Sequence, residues 1–413
     1  MASISSVRGR IIFNSRGSKT IEVDVVSDNK FMGRACAPSG ASVGKLEAQS
    51  FPENKPERAL SALNANASKF VGANAADLKA VYDILRKIDD TQNYSKIGGS
   101  VAYALSIAAA ESAAKAADVP LFRQLNPKGP YAFPFPLGNI LGGGAHAGPG
   151  TPDIQEILAC PTGARDIVSA LETNFRLHAE TRKVIESIDK RFTYGRGDEG
   201  AWAPNVNNDQ ALEIVEKATR NCGYTLGKEI SLGIDFASSS FWDEKKKVYD
   251  YARQGIKRDV GEQIEFANRL IKDYKLIYAE DPVQEEDFES MAEITKKNPK
   301  TYVTGDDMLV TNAAKVREAA EYGACSGAIL KVNQAGSLYD AMQFAAECNK
   351  RDVGIITSHR SGESVDSHIS HIAVATGSKM LKSGVLGGER VAKLNELVRL
   401  SEHGLVAGMA RII

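Results

Sequence analysis

Charged and polar motifs recur at nearly regular intervals in the second half of this 413-residue chain. From residue 280 onward they follow one another about every 25 residues, roughly the length of one strand plus one helix in a βα repeat. Polar residues at the ends of successive barrel strands converge on one mouth, so the spacing predicts a single site. The motifs are Gly197-Asp198-Glu199-Gly200, Gly233-Ile234-Asp235, Glu280-Asp281-Pro282, Gly305-Asp306-Asp307, Lys331-Val332-Asn333-Gln334, Ser358-His359-Arg360-Ser361-Gly362-Glu363 and Lys382-Ser383-Gly384.

Three of these motifs place a carboxylate at the end of an apolar run: Asp235, Glu280 and Asp306. Three carboxylates at one mouth repel each other unless a cation joins them, and an all-oxygen set suits Mg²⁺ or Mn²⁺. The alternative is that each residue caps the helix that follows it. A single aspartate would favour the cap, whereas three acids at regular strand ends favour the metal.

Two lysines belong to the same series. Lys331 lies in the apolar run Ile329–Asn333 and is expected inside a strand, where burial and nearby carboxylates shift its pKa in opposite directions. The alternative for Lys331 is a side chain that extends to solvent, and for Lys382 an ordinary surface position. The Arg360 guanidinium beside the Ser361 hydroxyl could clamp a phosphate, or Arg360 could be an exposed loop residue.

Three glycine-rich loops have compositions typical of lids over a barrel mouth. The loop at 195–205 carries Glu199, and the loops at 38–44 and 142–150 carry Ser42 and His146. Ordinary solvated connections are the alternative for each of them. The glycine run at 142–144 is weak evidence for phosphate binding when taken alone.

The first part of the chain predicts an α+β module of three strands followed by helices. A proline-rich linker is expected at 127–136. The expected strands are 7–13, 20–26 and 31–37, and the expected helices are 57–71, 76–88 and 99–117.

After the linker, apolar strand-like runs alternate with amphipathic helices over about 280 residues, a pattern that predicts a parallel sheet closed into a barrel. The predicted fold is therefore α/β, with a C-terminal (β/α)8-type barrel and an N-terminal α+β capping domain made of a three-strand meander plus helices. We expect the capping domain at residues 1–125 and the barrel domain at 126–413.

Composition excludes several functional classes. The chain is 43% hydrophobic and 25% charged with a net charge of −1, so neither nucleic acid nor an anionic membrane is an expected partner. The first residues lack an apolar segment typical of a signal peptide. None of the five cysteines lies in a CxxC pair, which favours a reduced, cytoplasmic protein.

Taken together, the motifs resemble those of the enolase family (phosphopyruvate hydratase). The resemblance runs from Asn14-Ser15-Arg16-Gly17 through Gln155-Glu156 and the barrel motifs to the segment 389–395, and so covers nearly the whole chain. It implies a hydro-lyase that reversibly dehydrates 2-phospho-D-glycerate to phosphoenolpyruvate in glycolysis and gluconeogenesis. It also implies two Mg²⁺ ions per active site, a phosphorylated small-molecule substrate and a homodimer or larger ring.

The resemblance also implies a role for each matching residue. Asp235, Glu280 and Asp306 would hold one Mg²⁺, and Ser42 would help to hold the second. Lys331 would remove the C2 proton, and Lys382 would stabilise the enolate. Glu199 and Glu156 would assist departure of the hydroxide, and Asp307 would accompany Lys331. The remaining expected substrate contacts are His359, His146, Gln155, Arg360 and Ser361.

Several segments depart from the family pattern, and two of them lie in the expected lids, at Val43–Lys45 and at Ala201–Trp202. They motivate two alternatives. One is a paralogue that performs the same elimination on a related phosphorylated or phosphonylated hydroxy acid. The other is a non-catalytic binding protein that retains the fold.

Overall fold

A three-stranded antiparallel sheet opens the structure, which is a computed structural model describing residues 2–40, 44 and 46–413. The strands are β1 (Ile4–Phe13), β2 (Lys19–Ser27) and β3 (Phe31–Cys36), paired in the order β1-β2-β3. The predicted meander is therefore confirmed.

Four helices follow this sheet. The alanine-rich third helix is buried along most of its length because it lies against the sheet. The helix expected at 57–71 ends at Asn66, and a 3-10 turn at Ala67–Phe70 brings the Phe70 ring into the core. The bounds are α1 (Pro56–Asn66), α2 (Leu78–Ile88), α3 (Gly99–Ala116) and α4 (Leu121–Leu125).

A closed eight-stranded barrel forms the remainder of the core, which confirms the predicted fold. Inward-facing apolar side chains such as Leu137, Ile329 and Ile356 fill its interior. The barrel strands are β4 (Phe135–Gly142), β5 (Glu156–Cys160), β6 (Ser231–Asp235), β10 (Tyr278–Glu280), β11 (Tyr302–Gly305), β12 (Gly327–Leu330), β13 (Gly354–Ser358) and β14 (Met380–Gly384).

The expectation of a wholly parallel sheet is wrong at one strand. β5 runs antiparallel to both β4 and β6, because the segment between β4 and β5 carries only one short 3-10 turn and no crossover helix. The reversal puts the first residue of β5 at the end of the barrel where its neighbours finish. Glu156 is thus paired with Asp235 on one side and with Gly142 on the other.

Helices surround the barrel, and a small antiparallel sheet is inserted in the chain between β6 and the next barrel strand. The sequence pattern did not predict that sheet, whose strands are β7 (Trp242–Asp243), β8 (Val248–Tyr251) and β9 (Ile256–Arg258). The helices are α5 (Ile167–Ile188), α6 (Asn208–Asn221), α7 (Val260–Asp273), α8 (Phe288–Lys297), α9 (Ala313–Tyr322), α10 (Val332–Ala335), α11 (Leu338–Lys350), α12 (His368–Thr376) and α13 (Gly388–Ser401).

Two further boundaries differ from expectation. The linker expected at 127–136 ends earlier, because β4 begins at Phe135 and Pro136 pairs with Leu381 inside the barrel. β12 ends at Leu330, so Lys331 lies at the start of α10 and not inside the strand. No helix within the described ranges has both the length and the apolar character needed to cross a membrane.

The close packing of α3 on the sheet generates a stability prediction. A Cβ atom added to Gly33 would lie 2.0 Å from the Ala108 carbonyl oxygen and 2.5 Å from the Ser112 nitrogen. Because both atoms are backbone, we expect Gly33→Ala to destabilise the fold by about 1–3 kcal/mol or more. Gly388→Ala is the control, since nothing lies within 4 Å of its added Cβ. A thermal midpoint of Gly33→Ala equal to that of the control would contradict the packing.

Candidate active site

The strand-end acids and lysines lie at one mouth of the barrel. Asp235 and Glu280 are the last residues of β6 and β10 and are paired in register, and Asp306 directly follows β11. Lys331 directly follows β12, and Lys382 lies within β14. All of them except Glu280 line one cavity, as do the other expected residues that the structure describes: Glu156, Glu199, His146, Gln155, His359, Arg360 and Ser361.

Lys382 is the buried cation around which three carboxylates gather. Its Nζ lies 2.9 Å from Oδ2 of Asp235 and 3.3 Å from Oε2 of Glu156, and it contacts Oε2 of Glu280 directly. Burial lowers the pKa of Lys382, but the three carboxylates raise it well above the ordinary value. The side chain therefore stays charged and offsets part of the cost of burying the acids.

Lys331 pairs with Asp306 in the same way. Its Nζ contacts Oδ2 of Asp306, and the other oxygen of Asp306 accepts a hydrogen bond of 2.9 Å from Nε2 of Gln334. Burial lowers the pKa of Lys331, but Asp306 raises it above the ordinary value. Asp307, expected to accompany this lysine, donates its backbone N–H to Asp281 at 2.9 Å, and the charge of Lys331 acts on its carboxylate.

Glu280 has one oxygen that suits a metal ion. Its Oε2 is engaged by Lys382 and by the hydroxyl of Tyr278, whereas its buried Oε1 has no hydrogen-bond partner among the described residues. Burial and the charge of Asp235 raise the pKa of Glu280 well above its usual range. A buried carboxylate oxygen without a partner, beside two further carboxylates, has the donor chemistry that a hard divalent cation requires.

The expected metal ligands do not converge closely in this structure. Asp235, Glu280 and Asp306 do not form one of the two groups of described residues whose ligand atoms lie within 4.8 Å of one another. Those groups are His146 with Glu156 and Glu199, and Asp281 with Asp306 and Asp307. Asp281 already accepts hydrogen bonds from the backbone N–H groups of Asp306 and Asp307. Ser42, the expected ligand of a second ion, lies outside the described residues.

Another part of the cavity wall carries two histidines and two glutamates. Nδ1 of His146 lies 3.3 Å from Oε1 of Glu156 and 3.6 Å from Oε1 of Glu199. Nε2 of His359 lies 3.1 Å from Oε2 of Glu199, and the amide of Asn139 donates to that same oxygen at 3.0 Å. These contacts join residues from three separate parts of the sequence.

The burial and charges of this wall shift the pKa values of its two glutamates in opposite directions. Burial raises the pKa of Glu199, but the charge of His146 holds it well below the usual range. Burial and the charge of Glu199 raise the pKa of Glu156 to about 7. Burial lowers the pKa of His359 to about 4. A carboxylate with a lowered pKa therefore lies beside one with a raised pKa, an arrangement typical of acid–base sites.

Glycine permits the close approach that places Glu199. A Cβ atom on Gly384 would lie 1.9 Å from the Glu199 carbonyl oxygen, and one on Gly200 would lie 2.1 Å from the Leu386 carbonyl oxygen. Trp202, in one of the departing segments, is buried and donates its indole N–H to the His178 carbonyl at 2.8 Å. Ala201 and Trp202, which differ from the family pattern, therefore do not line the cavity. Trp202 instead fixes the loop to the helix that carries His178.

Arg360 meets a carboxylate in the cavity. Its Nη1 lies 3.0 Å from Oε2 of Glu47, and both side chains are buried. The Ser361 hydroxyl is buried without a hydrogen-bond partner among the described residues. The amide of Gln155 donates to Oδ2 of Asp235 at 3.1 Å. An anion that reaches Arg360 must therefore share or displace Glu47.

Three residues of the site escaped prediction from sequence: Asn139, Glu47 and Arg390. Asn139 lies in the middle of an apolar strand, which gives a weak signal for an inward polar group. Glu47 follows the glycine-rich segment, and Arg390 begins an ordinary helix. Nothing local to either residue indicates burial, because Glu47 contacts Arg360 from 313 residues away and Arg390 donates to carbonyls 29 to 192 residues away.

Comparisons with known proteins agree with this geometry. Residues 4–125 match the family model described as Enolase, N-terminal domain, and residues 130–409 match Enolase, C-terminal TIM barrel domain. A protein named Enolase from Methanosphaera stadtmanae is 44% identical, with 98% of this chain and 99% of that protein covered. Proteins named Enolase from Methanothermobacter thermautotrophicus and Pyrobaculum aerophilum are 42% and 40% identical; 97% of this chain and 96% of each protein are covered.

The histidine and glutamate wall generates a titration prediction. Burial lowers the pKa of His146, but Glu199 and Glu156 outweigh burial and raise it to about 9. Stability contributed by protonated His146 is therefore complete below the unfolded-state value of about 6.5 and is lost as the pH rises through about 9. We expect the His146 ring to titrate near pH 9 by NMR, and Glu199→Gln to lower that value. A wild-type titration near pH 6.5 would contradict the assigned contacts.

Proposed function

The chain belongs to the enolase family, and on that premise we propose that it reversibly dehydrates 2-phospho-D-glycerate to phosphoenolpyruvate with Mg²⁺ as cofactor. Family membership already makes it a hydro-lyase, a phosphopyruvate hydratase. The observation that carries the finer proposal is the presence of Lys331, Glu156 and Glu199 in one cavity, with further buried acids and Lys382 also at its mouth. A base and an acid around one substrate are what elimination of water requires.

Asp235, Glu280 and Asp306 would hold the metal. The observation that favours a cation there is Oε1 of Glu280, which has no hydrogen-bond partner within the residues that the structure describes. Ser42 would assist a second Mg²⁺. When bound, Mg²⁺ supplies positive charge at the substrate carboxylate, where negative charge develops as the C2 proton leaves.

Lys331 would accept the C2 proton, which requires it to be neutral for part of the cycle. The charge of Asp306 raises the pKa of Lys331. A cation that binds Asp306 would weaken this effect and lower the pKa of Lys331 toward the value that a base needs. Lys382 stays charged and would stabilise the enolate. Positive charge placed before the reaction matters because a proton next to a carboxylate is very weakly acidic.

Glu156 and Glu199 would assist departure of the hydroxide from C3. Glu156, with a pKa of about 7, would give its proton to the departing hydroxide to form water and would be left anionic; anionic Glu199, which also contacts His146, would accept a hydrogen bond from that water. Arg360 and the Ser361 hydroxyl, which has no hydrogen-bond partner in the described part of the chain, would bind the phosphate once Glu47 is displaced. His146, Gln155 and His359 would line the substrate.

We extend the proposal to organisation and location. The capping domain would be residues 1–125 and the barrel domain 126–413, assembled as a homodimer or larger ring that light scattering can measure. The five cysteines are buried free thiols, which favours the cytoplasm. Glycolysis and gluconeogenesis would be the pathways served, and no nucleic-acid or membrane partner is proposed.

The proposed reaction is tested by mixing the protein with 2-phosphoglycerate and Mg²⁺ and following the ultraviolet absorbance of the enol phosphate. We expect activity that chelator abolishes and excess Mg²⁺ restores. Lys331→Ala should lower kcat by about 10²–10⁴-fold because it removes the base, whereas Lys350→Ala, an exposed control, should not. Folded wild-type protein without activity would reject the reaction, and a panel of phosphorylated and phosphonylated hydroxy acids would then test the paralogue.

A second prediction concerns the metal. Asp306→Asn should weaken Mg²⁺ binding by at least the roughly 10–100-fold that loss of an outer-shell partner costs. Calorimetric titration with Mg²⁺ measures the change, and Asp352→Asn on the exposed surface is the matched control. An unchanged Mg²⁺ affinity in a folded Asp306→Asn variant would remove Asp306 from the proposed ligand set.

A further inference from the structure

Arg390 is fully buried beside the active site, yet the roles discussed above do not use it. Its Nη1 donates to the Arg360 carbonyl at 2.6 Å, and its Nη2 donates to the carbonyls of Ser361 at 2.7 Å and Asp198 at 3.2 Å. Its only carboxylate contact among the described residues is with Glu389, at 3.4 Å. Burying a guanidinium is costly unless its donors are used, so these contacts account for its position.

The remaining contact of Arg390 is with the ring of His359. Nη1 of Arg390 lies 3.0 Å from Nδ1 of His359, and the backbone N–H of Gly384 points at the same nitrogen from 3.2 Å. A guanidinium and a backbone N–H can only donate. Nδ1 must therefore be the unprotonated acceptor, and a neutral ring must carry its proton on Nε2.

We propose that Arg390 is a positioning residue that holds His359 as the Nε2–H tautomer, so that the protonated nitrogen is the one that lies 3.1 Å from Oε2 of Glu199. The link to catalysis rests on the proposed function, whereas the tautomer itself does not. Arg390 also joins the carbonyl of Asp198 to those of Arg360 and Ser361. One guanidinium thus sets both the tautomer of the ring and the spacing of the two loops that carry Glu199 and the expected phosphate contacts.

The charges around His359 agree with a neutral ring. Glu199 faces Nε2, Arg390 faces Nδ1, and Glu363 acts from further away. Burial and the charge of Arg390 favour the neutral form and outweigh the two carboxylates, which brings the pKa to about 4. The neutral ring therefore turns its one N–H toward Glu199, and Glu156 remains the proposed proton donor to the departing hydroxide.

An arginine suits this position better than a lysine does. The planar guanidinium presents several donors in a fixed fork, and here two of its nitrogens reach three carbonyls and one ring nitrogen. A lysine keeps the charge but has a single nitrogen, which cannot reach the same four acceptors. Arg390→Lys should therefore behave more like a loss of contacts than a conservative change.

The tautomer is tested by nitrogen NMR of protein labelled with ¹⁵N-histidine. The chain has 6 histidines, and loss of one signal set in His359→Gln assigns that residue. We expect wild-type His359 at pH 7 to show an unprotonated Nδ1 and a protonated Nε2. Arg390→Met should lose this single pattern, whereas Arg399→Met on the exposed face of α13 should keep it. A protonated Nδ1 in the wild type would overturn the proposal even if no Arg390 variant folds.

Two substitutions at His359 test the catalytic consequence. Glutamine places its amide N–H near the position of Nε2, and asparagine places its amide near Nδ1. We expect kcat of His359→Gln to exceed that of His359→Asn by about tenfold, the effect of one hydrogen bond to a charged group, with KM little changed. Equal kcat values, or a faster His359→Asn, would overturn the positioning role. A wild type without activity would reject the proposed function and leave the NMR result to decide the tautomer.

Discussion

The burial of several carboxylates at one barrel mouth is the constraint on which the rest of the site depends. Asp235, Glu280 and Glu156 cannot all be charged in a low-dielectric space without a cation, and Lys382 supplies that charge from within β14. Asp306 is compensated in the same way by Lys331. The barrel brings these residues together because successive strands end at the same mouth.

The reversal of β5 adds the fourth acid. In a wholly parallel barrel the first residue of this strand would lie at the opposite end, far from Asp235. Because β5 runs antiparallel, Glu156 enters the cluster, touches Lys382 and approaches His146. This one change of strand direction connects the lysine and carboxylate cluster to the wall that carries Glu199, and it raises the pKa of Glu156 to about 7.

Much of this arrangement could be predicted from the sequence, for a physical reason. Asp235, Glu280 and Lys331 end apolar runs, and the repeat length places such ends together. The direction of β5 could not be predicted, because the run from Glu156 to Cys160 is equally apolar in either orientation. The partners of Arg390 and Glu47 could not be predicted either. Their contacts join separate elements of the fold, and no local pattern marks a charged side chain that will be buried.

The central claim is that the charge of Lys382 allows the acids to be buried, and thermal unfolding of Lys382→Met tests it most directly. Without divalent cations we expect this variant to melt well below the wild type, consistent with the roughly 3–5 kcal/mol that breaking a buried ion pair costs. Added Mg²⁺ should raise its midpoint more than that of the wild type, because the cation replaces the missing charge. A variant that melts with the wild type in chelator would contradict the claim.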